Sequence, residues 1–143
     1  MKAKLINDEG EQTFAVVFET GEEALAGLTS FAKEHRLDAA RFTAIGAFSD
    51  VTVGFFDWET KAYQEIVVDE QVEVLSLDGD IAREEGEPKV HAHVVVGKRD
   101  GTAHGGHLMA AHVRPTLEVV VVESPRHLRR VFDPESGLAL IDP

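Results

Sequence analysis

The sequence predicts an α+β domain with a mainly antiparallel sheet and one major helix. About eight segments rich in β-branched and aromatic residues are separated by turn-type residues, which is typical of strands. Only one segment shows a sustained helical spacing of apolar residues. Many strands beside a single helix favour α+β over an alternating α/β architecture. We expect residues 1–143 to form one domain with one core.

The chain is expected to start with a hairpin followed by the helix. Residues 2–6 and 12–19 are apolar-rich, and the turn-type residues 7–10 (NDEG) separate them. Thr20 is the predicted N-cap of the helix, and acidic residues in the first turn suit the helix dipole. Apolar residues then recur at helical spacing to about His35, which we expect to interact with the C-terminal end of the helix rather than with a metal.

The middle of the chain is predicted to be a series of strands. Residues 40–57 alternate in polarity, and Ser49-Asp50 suggests a break between two strands. Strands at 63–68 and 72–77 follow, and Asp78-Gly79-Asp80 is expected to end the second. The charged residues 83–89 (REEGEPK) are predicted to be a surface loop.

The C-terminal part is predicted to contain two more strands around a basic segment. Pro115 is expected to start a strand at 116–123, and the four valines 119–122 indicate a strand covered on both faces. Arg126, Arg129 and Arg130 near His127 are the one basic cluster that could contact nucleic acid, and the alternative that we expect is an exposed basic helical turn. A last strand is predicted at 138–141.

Four of the seven histidines lie in residues 91–108, HAHVVVGKRDGTAHGGHL. His91 and His93 alternate within a valine-rich strand, so both leave one face roughly 6.5–7 Å apart and form a candidate chelating pair. The Asp100-Gly101 turn returns the chain, bringing His104 and His107 back beside them. Between these two, Gly105 and Gly106 lack Cβ atoms and permit a positive φ or a close approach.

A third imidazole would complete a zinc site with three protein ligands and one open position. His107 satisfies the ligand count if the hairpin forms; His104 is an alternative third ligand, a hydrogen-bonding partner of a ligand, or a plain loop residue. Buried, hydrogen-bonded strand histidines are the structural alternative to the whole site. His112, beyond the Gly-Gly turn, is expected to be a hydrogen-bonded interior histidine that borders the pocket.

Glu118 stands at the head of a valine-rich strand. Burying a carboxylate without a partner is costly, so this side chain must be exposed, paired or used. If a metal is bound, Glu118 or Asp100 is a candidate general base for a metal-bound water, although Asp100 also suits an ordinary turn position.

The amino-acid composition argues against several classes of function. The net charge of −12 disfavours direct DNA binding by the isolated chain, because that affinity comes largely from basic residues that neutralise phosphates. The absence of cysteine excludes disulfides and sulfur ligation of zinc. No apolar run approaches the roughly 20 residues of a membrane helix, and no secretory signal is present, so a cytoplasmic protein without membrane attachment is expected.

Four segments together resemble a known family, the PPC domain, a plant and prokaryote conserved domain also called PCC. They are IGAFSDVTVGFFD, EVLSLDGDI, HAHVVVGKRDGTAHGGHL and PTLEVVV. The resemblance covers nearly the whole chain, from about Thr13 to Val122. It implies a largely antiparallel α+β fold assembled as a homotrimer. In prokaryotic members with these histidines, it implies zinc ligands at His91, His93 and His107.

Two departures from the family pattern bear on function. Plant relatives carry AT-hook segments and regulate through DNA, but this sequence has no Arg-Gly-Arg-Pro hook. Ala111 stands where the family tends to have glycine, and His112 follows it. We therefore expect a zinc-binding homotrimer that takes a water or small anionic ligand, with hydrolytic or lyase chemistry as one use. The alternative is a DNA-associated or protein-interaction module in which the histidines are structural.

Overall fold

The computed structural model describes residues 1–7, 10–124 and 127–142. These residues form nine strands and one helix. In chain order the elements are β1 (Lys2–Asn7), β2 (Thr13–Glu19), α1 (Ala24–Glu34), β3 (Ala39–Asp57), β4 (Ala62–Val68), β5 (Val72–Glu84), β6 (Glu87–Gly97), β7 (Ala103–Glu123), β8 (Arg129–Asp133) and β9 (Leu138–Asp142).

The strands form one sheet in the order β1-β2-β7-β3-β5-β8-β9, with β4 paired to β3 and β6 paired to both β5 and β7. All of these pairs are antiparallel except β5 with β8, which meet in parallel at Arg83 and Arg129. Because β3 and β6 each pair with both β5 and β7, these four strands close into a ring. The predicted antiparallel α+β fold is confirmed.

The helix starts later than predicted. Glu23 is the N-cap, and its carboxylate accepts hydrogen bonds from the backbone N–H groups of Leu25 and Ala26. The predicted cap, Thr20, instead donates from its hydroxyl to the Pro115 carbonyl at 3.0 Å. Gly21 N–H donates to the Val113 carbonyl at 2.9 Å, which keeps the chain extended along β7 until Glu23. At the other end His35 is the C-cap.

Three segments expected to be separate turns or loops lie inside long strands. β3 is continuous through Ser49-Asp50, because Asp50 pairs with His112 across the sheet. β5 continues through residues 78–80, where Gly79 allows close packing: a Cβ there would lie 2.4 Å from the His91 carbonyl oxygen. β7 runs through Gly105-Gly106, and it is already extended before Pro115, the predicted start of a strand.

Residues 83–89 form a hairpin rather than a loop. β5 and β6 pair as far as Glu84 with Glu87, and Glu85 and Gly86 make the turn with φ angles of 51° and 90°. The predicted basic helical turn is also replaced, because Arg129 and Arg130 begin β8. Arg126 and the predicted turn residues Asp8 and Glu9 lie outside the described residues.

The core lies between α1 and the sheet. Leu28 and Phe31 of the helix are fully buried or nearly so, against Phe14 and Phe18 of β2 and the buried valines of the sheet. The alternating burial along β6 places Val90, Ala92, Val94 and Val96 in this core. The intervening residues, His91 and His93 among them, therefore face outward. Within the described part of the chain no helix is long and apolar enough to cross a membrane.

Candidate metal centre

The histidine segment forms the predicted hairpin between β6 and β7. Lys98 N–H donates to the Thr102 carbonyl at 2.9 Å, and Thr102 N–H donates to the Asp100 carboxylate at 2.9 Å. The resulting register places His93 directly opposite His107, and Val96 opposite His104. Asp100 is thus an ordinary turn residue, whose hydrogen bonds with Thr102 lower its pKa. Its predicted alternative role as general base is not supported.

Three imidazoles meet on the outer face at the end of this hairpin ladder. One ring nitrogen from each of His91, His93 and His107 lies within 4.8 Å of the other two. The ring centroids are 5.0–5.5 Å apart. His93 is exposed and the other two are half-buried, so the group can be reached from solvent. Among the described residues this is the one group of three or more potential ligands found within such a distance.

His107 is held by packing on one side. Its ring stacks on Tyr63 of β4 with centroids 4.6 Å apart. Gly54 makes room for this contact, because a Cβ there would lie 2.7 Å from the Tyr63 ring. Burial lowers the pKa of His107 to about 4, assisted by the charges of His91, His93, Lys89 and Arg130. Burial followed by the charge of His91 also lowers the pKa of His93. Both rings are therefore neutral at neutral pH, the form that binds metals.

His91 is held by a carboxylate and a guanidinium. Its Nδ1 lies 3.5 Å from Asp80 Oδ2 and 3.3 Å from Arg130 Nη2, and Arg130 Nη2 donates to Asp80 Oδ1 at 2.6 Å. Burial alone would raise the pKa of Asp80, but hydrogen bonds from His91 and Arg130 lower it overall. A carboxylate behind a histidine is the usual way in which proteins orient a metal-binding imidazole.

The donor set fits a divalent transition metal. His107 Nδ1 is buried and has no hydrogen-bond partner among the described residues. Leaving a buried polar atom unpaired costs free energy, and a bound ion, or a water on that ion, would remove this cost. Three imidazole nitrogens without cysteine suit zinc and the neighbouring transition metals rather than calcium or magnesium, which prefer oxygen.

His104 is not part of this group. It lies three residues from His107 on the same strand and therefore faces the opposite side of the sheet. Its Nε2 is 3.4 Å from the Thr102 hydroxyl. Gly105 and Gly106 lie within the ladder, where Cβ atoms would be 2.7 Å from the carbonyl oxygens of Val94 and Gly54. The predicted close approach at these glycines is confirmed, and its partner is backbone.

The structure does not place Glu118 beside the three histidines. It is exposed, eleven residues along β7 from His107, and pairs with Val17 of β2 and Ile45 of β3. A strand advances about 3.3 Å per residue, so contact with the histidines of the same chain is excluded. The proposed general-base role of Glu118 is therefore not supported within one chain.

His112 is exposed rather than interior. Its Nδ1 lies 2.8 Å from Asp50 Oδ1. This hydrogen bond raises the pKa of His112 above 6.5 and lowers that of Asp50 below 3.8. His112 is thus in an ion pair on β3 and β7 and is separate from the three histidines.

The His112–Asp50 pair gives a testable pH dependence. The pair contributes fully to the free energy of unfolding between pH 3.8 and pH 6.5, the pKa values of Asp50 and His112 in the unfolded chain. It is lost as pH rises through the raised pKa of His112 or falls through the lowered pKa of Asp50. A double-mutant cycle with Asp50→Asn and His112→Gln, measured by urea unfolding, should give roughly 0.2–1 kcal/mol of coupling at about pH 5. The coupling should shrink above the folded pKa of His112; coupling that grows with pH would contradict the assignment.

Comparison with known proteins agrees with the fold. Residues 6–125 match the family described as the Plants and Prokaryotes Conserved (PCC) domain. This chain belongs to the PCC domain family. A crystal structure of a metal-containing protein from Archaeoglobus fulgidus is 33% identical and superimposes with a TM-score of 0.87 over 98% of this chain and 99% of that one. A candidate DNA-binding protein from Bacteroides thetaiotaomicron is 28% identical, with a TM-score of 0.88 over 98% of this chain and 96% of that one.

The PCC domain also resembles part of a longer curated protein. That protein, described as bifunctional protein GlmU from Synechococcus, is 29% identical over 120 residues. The match covers 82% of this chain but spans only 18% of the relative's length. The activity of the longer protein is therefore not carried over to this chain.

The sequence did not single out several residues that shape the centre. The sequence predicts a strand end at Asp80 and a helical turn at Arg130, whereas in the structure these two side chains pair with each other beside His91. An isolated glycine within a strand, such as Gly54, indicates a bulge or a close contact, whereas Tyr63 and Lys89 carry no chemical pattern of their own. One signal could have found Asp80. Asp78 and Asp80 alternate along β5 with the same spacing as His91 and His93 along β6, and pairing the two strands places Asp80 opposite His91.

Proposed function

We propose that this PCC-domain chain is a homotrimeric metal-binding protein with one zinc ion per chain at His91, His93 and His107. The observation that supports it most is the convergence of three imidazole nitrogens within 4.8 Å of one another on an accessible face. Three protein ligands leave one position for water or a small anion, as in catalytic zinc sites.

Several observations support zinc in particular. The sequence contains no cysteine, so the protein ligands must be nitrogen or oxygen, and three neutral imidazoles with an open position are a frequent zinc arrangement. The similar protein from Archaeoglobus fulgidus is described as metal-containing. His91 is oriented by Asp80 and His107 by Tyr63, so two of the three ligands are preorganised.

The bound ion would supply Lewis acidity and lower the pKa of a bound water to about 7, which suits hydrolytic or lyase chemistry. The chain's own residues orient the ligands and set their protonation. Because the pKa of His107 is lowered to about 4, protons compete with the metal at this ring only in acid.

An exposed apolar strip supports the proposed trimer. Val17, Ile45 and Val120 lie on the outer face of the adjacent strands β2, β3 and β7, and are 36%, 62% and 43% exposed. Glu118 lies between Val17 and Ile45 and interrupts the strip with a carboxylate, which a trimer would have to leave solvated or pair with a cation. Exposed apolar side chains on adjacent strands commonly mark an interface, and a closed symmetric assembly would cover them.

A DNA-associated role is the second candidate, because the similar Bacteroides protein is described as a candidate DNA-binding protein. The net charge of −12 opposes it. Three arginines near the C-terminal hairpin are also already paired with acids: Arg83 with Asp38, Arg129 with Asp142 and Arg130 with Asp80. We therefore favour the metal-binding function.

Two measurements on one preparation separate the two functions. Elemental analysis of protein purified without a nickel column should find about one zinc per chain. Binding to duplex DNA at physiological salt should be undetectable. Metal-free protein that binds duplex DNA tightly would refute the proposal and favour the DNA-associated role.

A further inference from the structure

The hairpin that carries the histidines opens into a fork at the metal centre. β6 and β7 pair from Gly97 with Ala103 to His93 with His107, and from His107 onward β7 pairs with β3. A cleft of about 410 Å³ lies in this fork, with His91 and His107 at its wall. Clefts of roughly this size are ordinary small-molecule sites.

Most of the cleft surface is apolar. Leu25 of α1 lines it together with Met109 of β7, and Leu138 and Leu140 of β9 line it as well. Leu140 is 45% exposed, so apolar surface is open to solvent beside the proposed ion. Covering such surface with hydrocarbon is favourable, by about 0.8 kcal/mol for each buried CH₂ group.

One cation of the cleft, Lys89, has no ion-pair partner among the residues that the structure describes. Lys89 lies two residues before His91 on β6, on the same face, and is exposed. In the described part of the chain it forms no ion pair, whereas Lys2, Lys33 and Lys98 each pair with a glutamate. The other cation, Arg130, is neutralised by Asp80.

The charges of the cleft favour a ligand with a single negative group. A divalent ion on three neutral imidazoles keeps its full charge, and Lys89 adds another. Glu84 also lines the cleft, and its carboxylate disfavours a second anionic group on the ligand. A carboxylate suits the open coordination position and the lysine ammonium, since both bind oxygen anions.

We propose that this cleft binds amphipathic monocarboxylates, with the carboxylate between the ion and Lys89 and the hydrocarbon chain against Leu138, Leu140 and Met109. This inference rests on the proposed metal site, since the ion forms half of the carboxylate site. A monocarboxylate is then the small anion that occupies the open coordination position.

Calorimetric titration of the full chain with hexanoate tests the proposal. Zinc-loaded protein should bind hexanoate at least about ten-fold more tightly than acetate, because four more CH₂ groups are buried. Removing zinc should weaken hexanoate binding by about ten-fold or more, and hexanol, which lacks the charge, should bind weakly to both forms. Zinc content is measured on every sample.

Variants separate the two halves of the ligand site. Lys89→Met should weaken the affinity for hexanoate about five- to ten-fold and leave the zinc content at one per chain. Lys89→Arg, which keeps the positive charge, should retain hexanoate binding. Lys4→Met, at an exposed lysine of β1, is the matched control and should bind normally. Leu140→Ser should weaken the binding of hexanoate but not that of acetate. Leu75→Ser, at another exposed leucine, should leave the binding of both ligands unchanged.

The outcomes distinguish this inference from the proposed function. Protein that holds one zinc per chain but binds hexanoate no better than acetate would overturn the inference and leave the metal site standing. Hexanoate binding that is equal in Lys89→Met and wild type would overturn the assigned carboxylate position. Protein that takes up no zinc would overturn both.

Discussion

Replacement of His93 by alanine is expected to reduce zinc from about one equivalent to below about one tenth per chain. His93 is exposed, so its removal leaves the core intact and the loss reports on coordination. Two remaining imidazoles are too few for a stable site of this type, which uses three protein ligands. Elemental analysis after dialysis against metal-free buffer measures the effect, and thermal unfolding of the metal-free proteins checks that both are folded.

His104→Ala is the matched control for this experiment. His104 lies in the same hairpin and is also exposed, but it faces the opposite side of the sheet. Its zinc content should equal that of wild type. Equal loss in both variants, or normal zinc in His93→Ala, would contradict the assignment of ligands.

Replacement of Ile45 by glutamate is expected to dissociate the proposed trimer. Ile45 is 62% exposed in the single chain and pairs with Glu118, so the variant places two carboxylates side by side in the apolar strip. Desolvating an unpaired carboxylate in an interface costs several kcal/mol. Light scattering coupled to gel filtration should show a change from three times 15.6 kDa to 15.6 kDa.

Val67→Glu serves as the control for the interface. Val67 is 65% exposed on β4, away from the strip formed by β2, β3 and β7, so this variant should stay trimeric. A wild-type protein that is monomeric at micromolar concentration would refute the trimer. Dissociation of the trimer by both substitutions would refute the assignment of the apolar strip as the trimer interface.

The two histidines of β6 could be predicted from sequence because alternation along a strand is local. His91 and His93 have to share a face whatever their strand pairs with. The third ligand could not be fixed in this way, since His104 and His107 lie on opposite faces of β7 and the hairpin register decides which of them faces His93. The family resemblance implied His107, and the observed register places His107 there.

The predicted breaks failed where polar residues and glycines have long-range partners. Asp50 resembles a turn residue but pairs with His112, 62 positions away. Gly79 resembles part of a turn but lies against the His91 carbonyl and the Phe42 ring. These contacts join segments distant in sequence, so no local pattern encodes them.

The same limit applies to the residues that support the metal centre. Arg130 reaches Asp80 across 50 positions, and Tyr63 reaches His107 from another hairpin. In the sequence these positions show only a basic cluster and an isolated aromatic residue. Their roles follow from the topology, which places β4 and β8 beside the face that carries the histidines.

Anomalous diffraction at the zinc absorption edge, on crystals of the untagged protein, tests the central claim most directly. We predict one anomalous peak per chain, about 2.0–2.1 Å from a ring nitrogen of each of His91, His93 and His107. A zinc-loaded crystal with no peak between these rings, or with its peak on other residues, would contradict the proposed metal centre.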